Sequence, residues 1–517
     1  LYLVSFIGII LLTIIISGYK LGSVPHGLTW DEAAIGYNGY AILTTRRDEW
    51  LVRLPVSFRS FGDYKAPLAI YTNGVFTYLF GLDAFGIRLP FMLAGVMSVV
   101  GIMLLVQLLW SEDSDSYLYS ILAGFIAITT PWYVHYSRAG FESGLALCFT
   151  IWGVYFFLLF KKYLTSLPLV LSMVSFVLSL YTYHSSKVVT PLLVLLLLLF
   201  SRKEIFKKSV IWKVLGAGLA STILSYALIK DSLFGNGLER AGVTLFSQMD
   251  SWSATGTSLQ QFMLHLLPGF LINGDTTTLR HGDGQWGVLL LPTYLIVMLA
   301  LGWMLLSWRK LSELYKNVSL FSVLWLVIGI LPAAIASEVP HSNRALMAFP
   351  AFLLLVILAF SLLKQQFFTE LQKRLSIGLF ILLQSLFFFA YLHDYFTLFA
   401  AQSASDFKDG YVEAFQIARE HELGLNGKST VDKIVFASDY GQPYIYALLV
   451  RKTNPILYQG GSLIKYEFRD DINGTDLNKG NRLVVAVPED AMGKVTPDYV
   501  VTGSDNQIKF KIYLTKN

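Results

Sequence analysis

Asp31 and Glu32 stand side by side just past the first apolar segment, in Gly27-Leu28-Thr29-Trp30-Asp31-Glu32. Two adjacent carboxylates at a membrane surface cost free energy unless they are solvated, paired or used. Next to so apolar a chain the pair reads as a reaction centre, and a carboxylate is a natural general base for a hydroxyl. The plainer alternative is a helix start, with Thr29 or Asp31 as N-cap and acids in the first turn before Ala33-Ala34-Ile35. Both readings can hold together.

Basic and aromatic groups recur at the predicted outer ends of other segments. Tyr64 and Lys65 lie in Gly62-Asp63-Tyr64-Lys65-Ala66-Pro67, and Arg138 closes Pro131-Trp132-Tyr133-Val134-His135-Tyr136-Ser137-Arg138 with Glu142 four residues on. His184 and Lys187 share one loop, Arg280-His281 another, and His341 and Arg344 a third. Several cations brought to one membrane level suit a phosphate at head-group depth, which Arg grips in bidentate fashion and Lys and His support. Taken singly, each is equally a snorkelling interface anchor, and Arg138 with Glu142 is a possible i,i+4 pair. No HxxxH or HExxH spacing occurs, so no metal site is predicted; a divalent ion is possible but not indicated, and no cofactor is required.

The chain that must position these groups is apolar. Of 517 residues 54% are hydrophobic and 15% charged, and mean hydropathy is +0.55, the composition of a polytopic membrane protein. A net charge of +5 without a basic stripe argues against nucleic acid. About eleven apolar runs, near 1–18, 87–110, 116–132, 141–161, 166–184, 187–201, 211–229, 286–308, 317–337, 344–363 and 375–393, are candidate transmembrane helices. Basic pairs fall in alternate short loops (Lys161-Lys162, Arg202-Lys203, Arg309-Lys310, Lys373-Arg374), which places those loops and the N-terminus in the cytoplasm. The first residue is Leu1, so the natural start is expected to lie upstream, and segment 1–18 reads as a retained helix. Cys148 is the single cysteine, which excludes internal disulfides.

Three outer regions are too long to be simple connections: 19–86, 230–285 and the tail from 395. The first holds an amphipathic stretch, Glu32 to Leu43, and a semi-apolar one, Ala66 to Leu82. The tail reads as a small extracytoplasmic α/β domain, with a helix over 406–420, strands at 433–438 and 483–487, a helix at 444–451 between them, and further strands at 499–501 and 508–514. The expected division is a membrane module over 1–394 and the tail domain over 395–517.

With these residues in place the chain resembles the GT-C membrane glycosyltransferases, in the branch of the protein O-mannosyltransferases and lipid A aminoarabinose transferases. The resemblance rests on Asp31-Glu32, Tyr64-Lys65-Ala66-Pro67-Leu68, Phe80-Gly81, Ile87-Arg88-Leu89-Pro90, Tyr136-Ser137-Arg138 with Glu142, and Pro340-His341-Ser342-Asn343-Arg344-Ala345. Asn273-Gly274-Asp275, Leu279-Arg280-His281 and Tyr440-Gly441-Gln442-Pro443-Tyr444 add to it, and it spans nearly the whole chain. Lys65-Ala66-Pro67 departs from the Pro-Pro pair frequent in relatives. The resemblance implies a polyprenyl-phosphate-sugar donor and an acceptor hydroxyl on protein, lipid or surface glycan. It implies inversion at the anomeric carbon, with Asp31, or Glu32, serving the acceptor hydroxyl. Arg138 and Arg344, then Lys65, His341 and Lys187, are the expected phosphate ligands; Tyr64, His184, Glu142, Arg280 and His281 complete the candidate site. The expected location is the plasma (inner) membrane. A lipid-linked saccharide flippase would also grip phosphate, but no internal repeat is visible. A GT-C surface-glycan polymerase and a scaffold built on the tail are the other readings.

Overall fold

The computed structural model describes residues 2–235, 244–274, 276–366, 369–458 and 463–515. Each of the eleven apolar runs carries helix. Among the described residues, six helical segments are long and apolar enough to cross a membrane: Ala84–Leu109, Glu142–Tyr163, Leu291–Lys310, Glu313–Ala334, Ser342–Leu362 and Glu370–Gln402. Two more spans arise if bent pairs are joined. Ser116–Ile128 and Pro131–Arg138 meet at 64°, and Lys208–Leu224 and Tyr226–Phe234 at 54°. The first bend falls where Pro131 lacks an N–H and biases Thr130 away from helix. Tyr2–Gly18, Ser166–Leu180 and Ser186–Phe200 are apolar but have only 15–17 residues, fewer than the ~20 that a hydrocarbon core requires. Length and composition therefore support six spans, or eight with the bent pairs, where the sequence reading counts eleven.

The helices that matter below are α1 (Tyr2–Gly18), α2 (Trp30–Thr45), α3 (Pro67–Phe80), α4 (Ala84–Leu109), α5 (Ser116–Ile128), α6 (Pro131–Arg138), α7 (Glu142–Tyr163), α8 (Ser166–Leu180) and α9 (Ser186–Phe200). Two short strands, β1 (Phe58–Ser60) and β2 (Asp63–Lys65), precede α3.

The chain divides into two compact units. One comprises Leu1–Tyr19, Asp63–Leu68 and Phe91–Asp394. Its centre is the helix Phe349–Gln366, buried on every side from Phe349 to Leu358, as expected for a helix apolar all round. Leu291–Ser307, Glu313–Ala334 and α5 surround it.

The other unit comprises Lys20–Gly62, Ala69–Pro90 and Tyr395–Asn517, so most of the 19–86 segment folds with the tail. Here α2 crosses α3 at Gly39 and Gly74, where a methyl group on either would strike the other's backbone. The tail sheet has the order β4-β3-β5-β7-β6: β3 (Lys433–Ala437), β4 (Tyr466–Arg469), β5 (Arg482–Ala486), β6 (Tyr499–Thr502) and β7 (Ile508–Leu514). Strand β3 runs parallel to both β4 and β5, and β7 is antiparallel to β5 and β6. After their first residues, Lys433 and Arg482, β3 and β5 are continuously apolar, which suits burial on both faces. The expected helix at 406–420 instead runs Tyr411–Leu423, between Gly410 and Gly424, both at positive φ. Helix α2 packs on Pro443–Arg451: the Tyr446 hydroxyl donates to Leu28 O at 2.7 Å and the Tyr37 hydroxyl to Thr453 O at 2.8 Å.

Candidate active site

The start of α2 is fixed by its own sequence. Thr29 caps the helix, accepting the Glu32 N–H at 3.1 Å, while Glu32 Oε2 accepts the Thr29 N–H at 3.0 Å. This reciprocal box satisfies two donors that a helix start otherwise leaves orphaned. Glu32 has a second partner that the sequence did not reveal. Arg88, on the following span, donates from Nε to Glu32 Oε1 at 2.7 Å, and neither side chain is exposed. The same guanidinium donates to Pro25 O at 2.9 Å, Gly27 O at 2.8 Å and Leu21 O at 3.3 Å. One buried Arg thus ties the incoming loop to the first turn of α2, with a charge-assisted bond at its centre. Asn73 supports it by donating to Ile87 O at 2.7 Å. Glu32 is thereby enclosed and engaged as a holder of the helix start. Asp31, one residue earlier, keeps partial exposure on backbone that Thr29, Glu32 and Arg88 immobilise. The signal for Arg88 was present as a cation beside an apolar run, in Ile87-Arg88-Leu89-Pro90.

In the first unit, Lys65 at the end of β2 is 6% exposed, and its Nζ lies 3.8 Å from Glu142 Oε1 at the start of α7. The turn before α9 is pinned to the same strand. His184 Nε2 meets Tyr64 O at 2.6 Å, and Leu68 N–H donates to Tyr181 O at 3.0 Å. Lys187 N–H in turn donates to His184 O at 3.0 Å. Lys187 belongs to the wall of an apolar cavity of about 860 Å³, with Phe157 and Phe176 from α7 and α8, Pro191 from α9, and Leu228 and Ile229 beyond. Tyr64, Lys65, Glu142, His184 and Lys187 are therefore one assembly.

Arg138, one of the expected phosphate ligands, lies at the end of α6. It is wholly buried, and its Nη1 donates to Ile16 O at 2.9 Å and Ser17 O at 3.0 Å. Those are carbonyls at the C-terminal end of α1, where helical partners run out. Glu142, the residue four positions on, has its carboxylate beside Lys65.

A second group gathers around α6. The Tyr136 hydroxyl lies 2.8 Å from Ser342 Oγ and 3.5 Å from His281 Nδ1, and Ser342 donates to His281 O. The rings of His281 and His341 are 4.4 Å apart, and His135 Nε2 meets Arg280 O at 2.8 Å. Asp283, unnoticed in the sequence, accepts the Gln285 and Trp286 N–H groups on Oδ1. Its Oδ2 is buried without a hydrogen bond among the described residues, and burial pushes the carboxyl up to about 6. Arg344 is half-buried and makes no hydrogen bond or ion pair among the described residues. Asp275 lies outside them. No three His, Cys, Asp or Glu side chains converge as a metal site among the described residues.

Residues 64–227, about a third of the chain, match the family model described as dolichyl-phosphate-mannose-protein mannosyltransferase. No curated protein matches the chain by sequence search. Among solved structures, the chain is similar to ArnT from Cupriavidus metallidurans bound to undecaprenyl phosphate. The TM-score is 0.59 at 12% identity, covering 99% of this chain and 98% of that one. The apo form of that protein gives 0.56 at 13% identity, covering 99% and 97%. The apo oligosaccharyltransferase of Archaeoglobus fulgidus gives 0.51 at 11% identity, covering 94% of this chain and 69% of that one. The chain is a multi-span membrane protein with the fold of the GT-C glycosyltransferases, the group its sequence resembles.

Proposed function

We propose that the protein is an inverting glycosyltransferase that moves a sugar from a polyprenyl-phosphate-sugar to an acceptor hydroxyl on the outer face of the membrane. The observation that carries this reading is the nearly buried Lys65 beside Glu142, joined through Tyr64 and His184 to Lys187 in the wall of the large apolar cavity. An isoprenoid chain needs an apolar trough, and its phosphate needs cations held where water is scarce. Lys65 and Lys187 meet that need, with Arg344 as a third cation. Undecaprenyl phosphate bound to ArnT, a protein of the same fold, supports this ligand class.

In the reaction the acceptor oxygen attacks the anomeric carbon from the face opposite the phosphate. The acceptor proton passes to Asp31, the new glycosidic C–O bond forms, and the old bond to phosphate oxygen breaks. The phosphodiester departs as a monoester, so negative charge grows on the leaving group and cations lower the barrier. Glu32 and Arg88 act by positioning Asp31. Arg138 serves by holding the end of α1. The alternating basic loops support a cytoplasmic N-terminus and an extracytoplasmic tail.

The test is to incubate the purified protein with a panel of polyprenyl-phosphate sugars and membrane extract as acceptor. Acceptor-dependent release of polyprenyl phosphate from at least one donor is expected. A panel that yields none, with donor still bound, would reject the reading.

A further inference from the structure

Four arginines stand on one short stretch after α2: Arg46, Arg47, Arg53 and Arg59, all exposed. The backbone there folds into a small antiparallel ribbon. Asp48 N–H donates to Val52 O at 3.1 Å and Leu54 N–H to Arg46 O at 3.3 Å, with Arg47 bridged to Arg53 between them. Arg47 and Arg53 therefore form a non-hydrogen-bonded pair, the position at which cross-strand side chains come closest. Like charges placed directly opposite are unfavourable.

Among the described residues the acids of the same segment form no ion pair with them, and Glu49 acts on Arg59 only across a longer distance. Asp48 is buried, and its Oδ1 accepts the N–H groups of Trp50 and Val52 at 2.9 and 2.8 Å. Glu49 is buried and clasped by Asn38, which donates from Nδ2 to Glu49 Oε1 at 3.1 Å and accepts the Glu49 N–H at 3.0 Å. Among the described residues none of the four arginines has an ion-pair partner. Arg59 is held over the Trp50 ring at 4.3 Å, and Trp50 Nε1 donates to Arg59 O at 3.2 Å, so this cation too is fixed. Leu51 and Leu54, bulky residues, are held at φ 66° and 46°. That backbone is strained, and such strain persists where a local geometry is needed. The segment sorts its charges, acids inward and arginines outward, on a rigid frame.

We propose that this ribbon is a phosphate-binding site, in which Arg47 and Arg53 share one phosphate group and Arg46 and Arg59 flank it. Two guanidiniums at a close cross-strand position match a tetrahedral oxyanion, and the bound charge removes the repulsion between them. A phosphate on a lipid head-group and a phosphate on a soluble polyanion present the same chemistry. The site stands apart from the glycosyl-transfer reading and does not depend on it.

The test uses the full chain in nanodiscs, with Val52→Cys labelled by a fluorophore; the native Cys148 is buried. One arm compares nanodiscs of phosphatidylcholine with nanodiscs containing phosphatidylglycerol. The other adds inorganic polyphosphate to the phosphatidylcholine discs. A change in emission with either probe, weakened roughly tenfold or more by R47Q/R53Q through the lost charge-assisted bonds, is expected. The arm that responds identifies the source. Arg47 Nη1 also donates to Leu51 O at 3.0 Å, so the stability control uses Arg53: R53Q should leave thermal stability in phosphate-free buffer unchanged or higher, since repulsion is relieved. Silence in both arms, an equal response from R47Q/R53Q, or a loss of stability in R53Q would overturn the proposal.

Discussion

Replacing Arg88 with Met isolates the role assigned to the Glu32 pair. The pair is entirely buried, so the substitution leaves a carboxylate with its strongest partner removed and three carbonyls without a donor. Breaking a buried pair from one side costs ~3–5 kcal/mol, much of it the burden of the uncompensated charge. The same change frees the 21–27 segment that leads into Asp31. A displacement of about 1 Å at a reacting group can cost roughly a hundredfold in rate. R88M should therefore lose both thermal stability in detergent and turnover at matched protein levels. Adding E32L removes the stranded charge and should restore most of the stability, because well-packed apolar replacements of buried pairs are often neutral. Turnover should stay low, since the loop remains untied. A double variant whose stability loss equals the sum of the two single losses would show that the residues do not act as a pair, and the positioning argument would fail.

Glu49 gives a pH prediction. Burial pushes its carboxyl from the ordinary 4.5 up to about 8, against the lowering effect of the Asn38 hydrogen bond. The folded state holds this proton more tightly than the unfolded chain, so its contribution is complete below pH 4.5, declines as pH rises, and is gone above about 8. Thermal unfolding of wild type and Glu49→Gln across that window should show the wild type losing stability more steeply as pH rises; parallel curves would refute it. Lys65→Met should raise the donor KM and slow turnover, together by roughly ten- to a hundredfold, from lost charge-assisted contacts to phosphate; kinetics with a fixed donor decide, and unchanged constants would remove Lys65 from the phosphate site. For orientation, a cysteine at Ser504 should react with an impermeant thiol reagent in intact cells and one at Ser209 should not, the reverse labelling rejecting the topology.

The apolar runs were legible because helix needs only local periodicity and length, and each run does carry helix. Whether a run crosses the membrane was less so: the bend between Ile128 and Pro131 and the short α8 and α9 depend on neighbours. In the tail, β3 and β5 announced themselves as unbroken apolar strands. Tyr466–Arg469 did not, because this edge strand mixes Glu and Arg with aromatics and is mostly half-exposed. A helix start at Thr29 or Asp31 is readable in the sequence, but the tie of Glu32 to Arg88, 56 residues away, is not. Arg138 shows the same limit. A cation at a helix end looks identical in sequence whatever it faces, so the bonds of Arg138 to the carbonyls of Ile16 and Ser17 could not be foreseen. Lys65 and Glu142 both stand out in the sequence, where spacing pairs Glu142 with Arg138 at i,i+4, but in the fold its carboxylate lies by Lys65.

In the proposed mechanism Asp31 receives the acceptor proton while Lys65 and Lys187 hold the donor phosphate. The most direct measurement pairs donor binding with single-turnover transfer in Asp31→Asn, using a radiolabelled polyprenyl-phosphate sugar identified from the panel. The amide keeps size and polarity but cannot take up the proton at neutral pH. Donor affinity close to wild type and transfer reduced to background are expected, and wild-type transfer by Asp31→Asn would rule out Asp31 as the base.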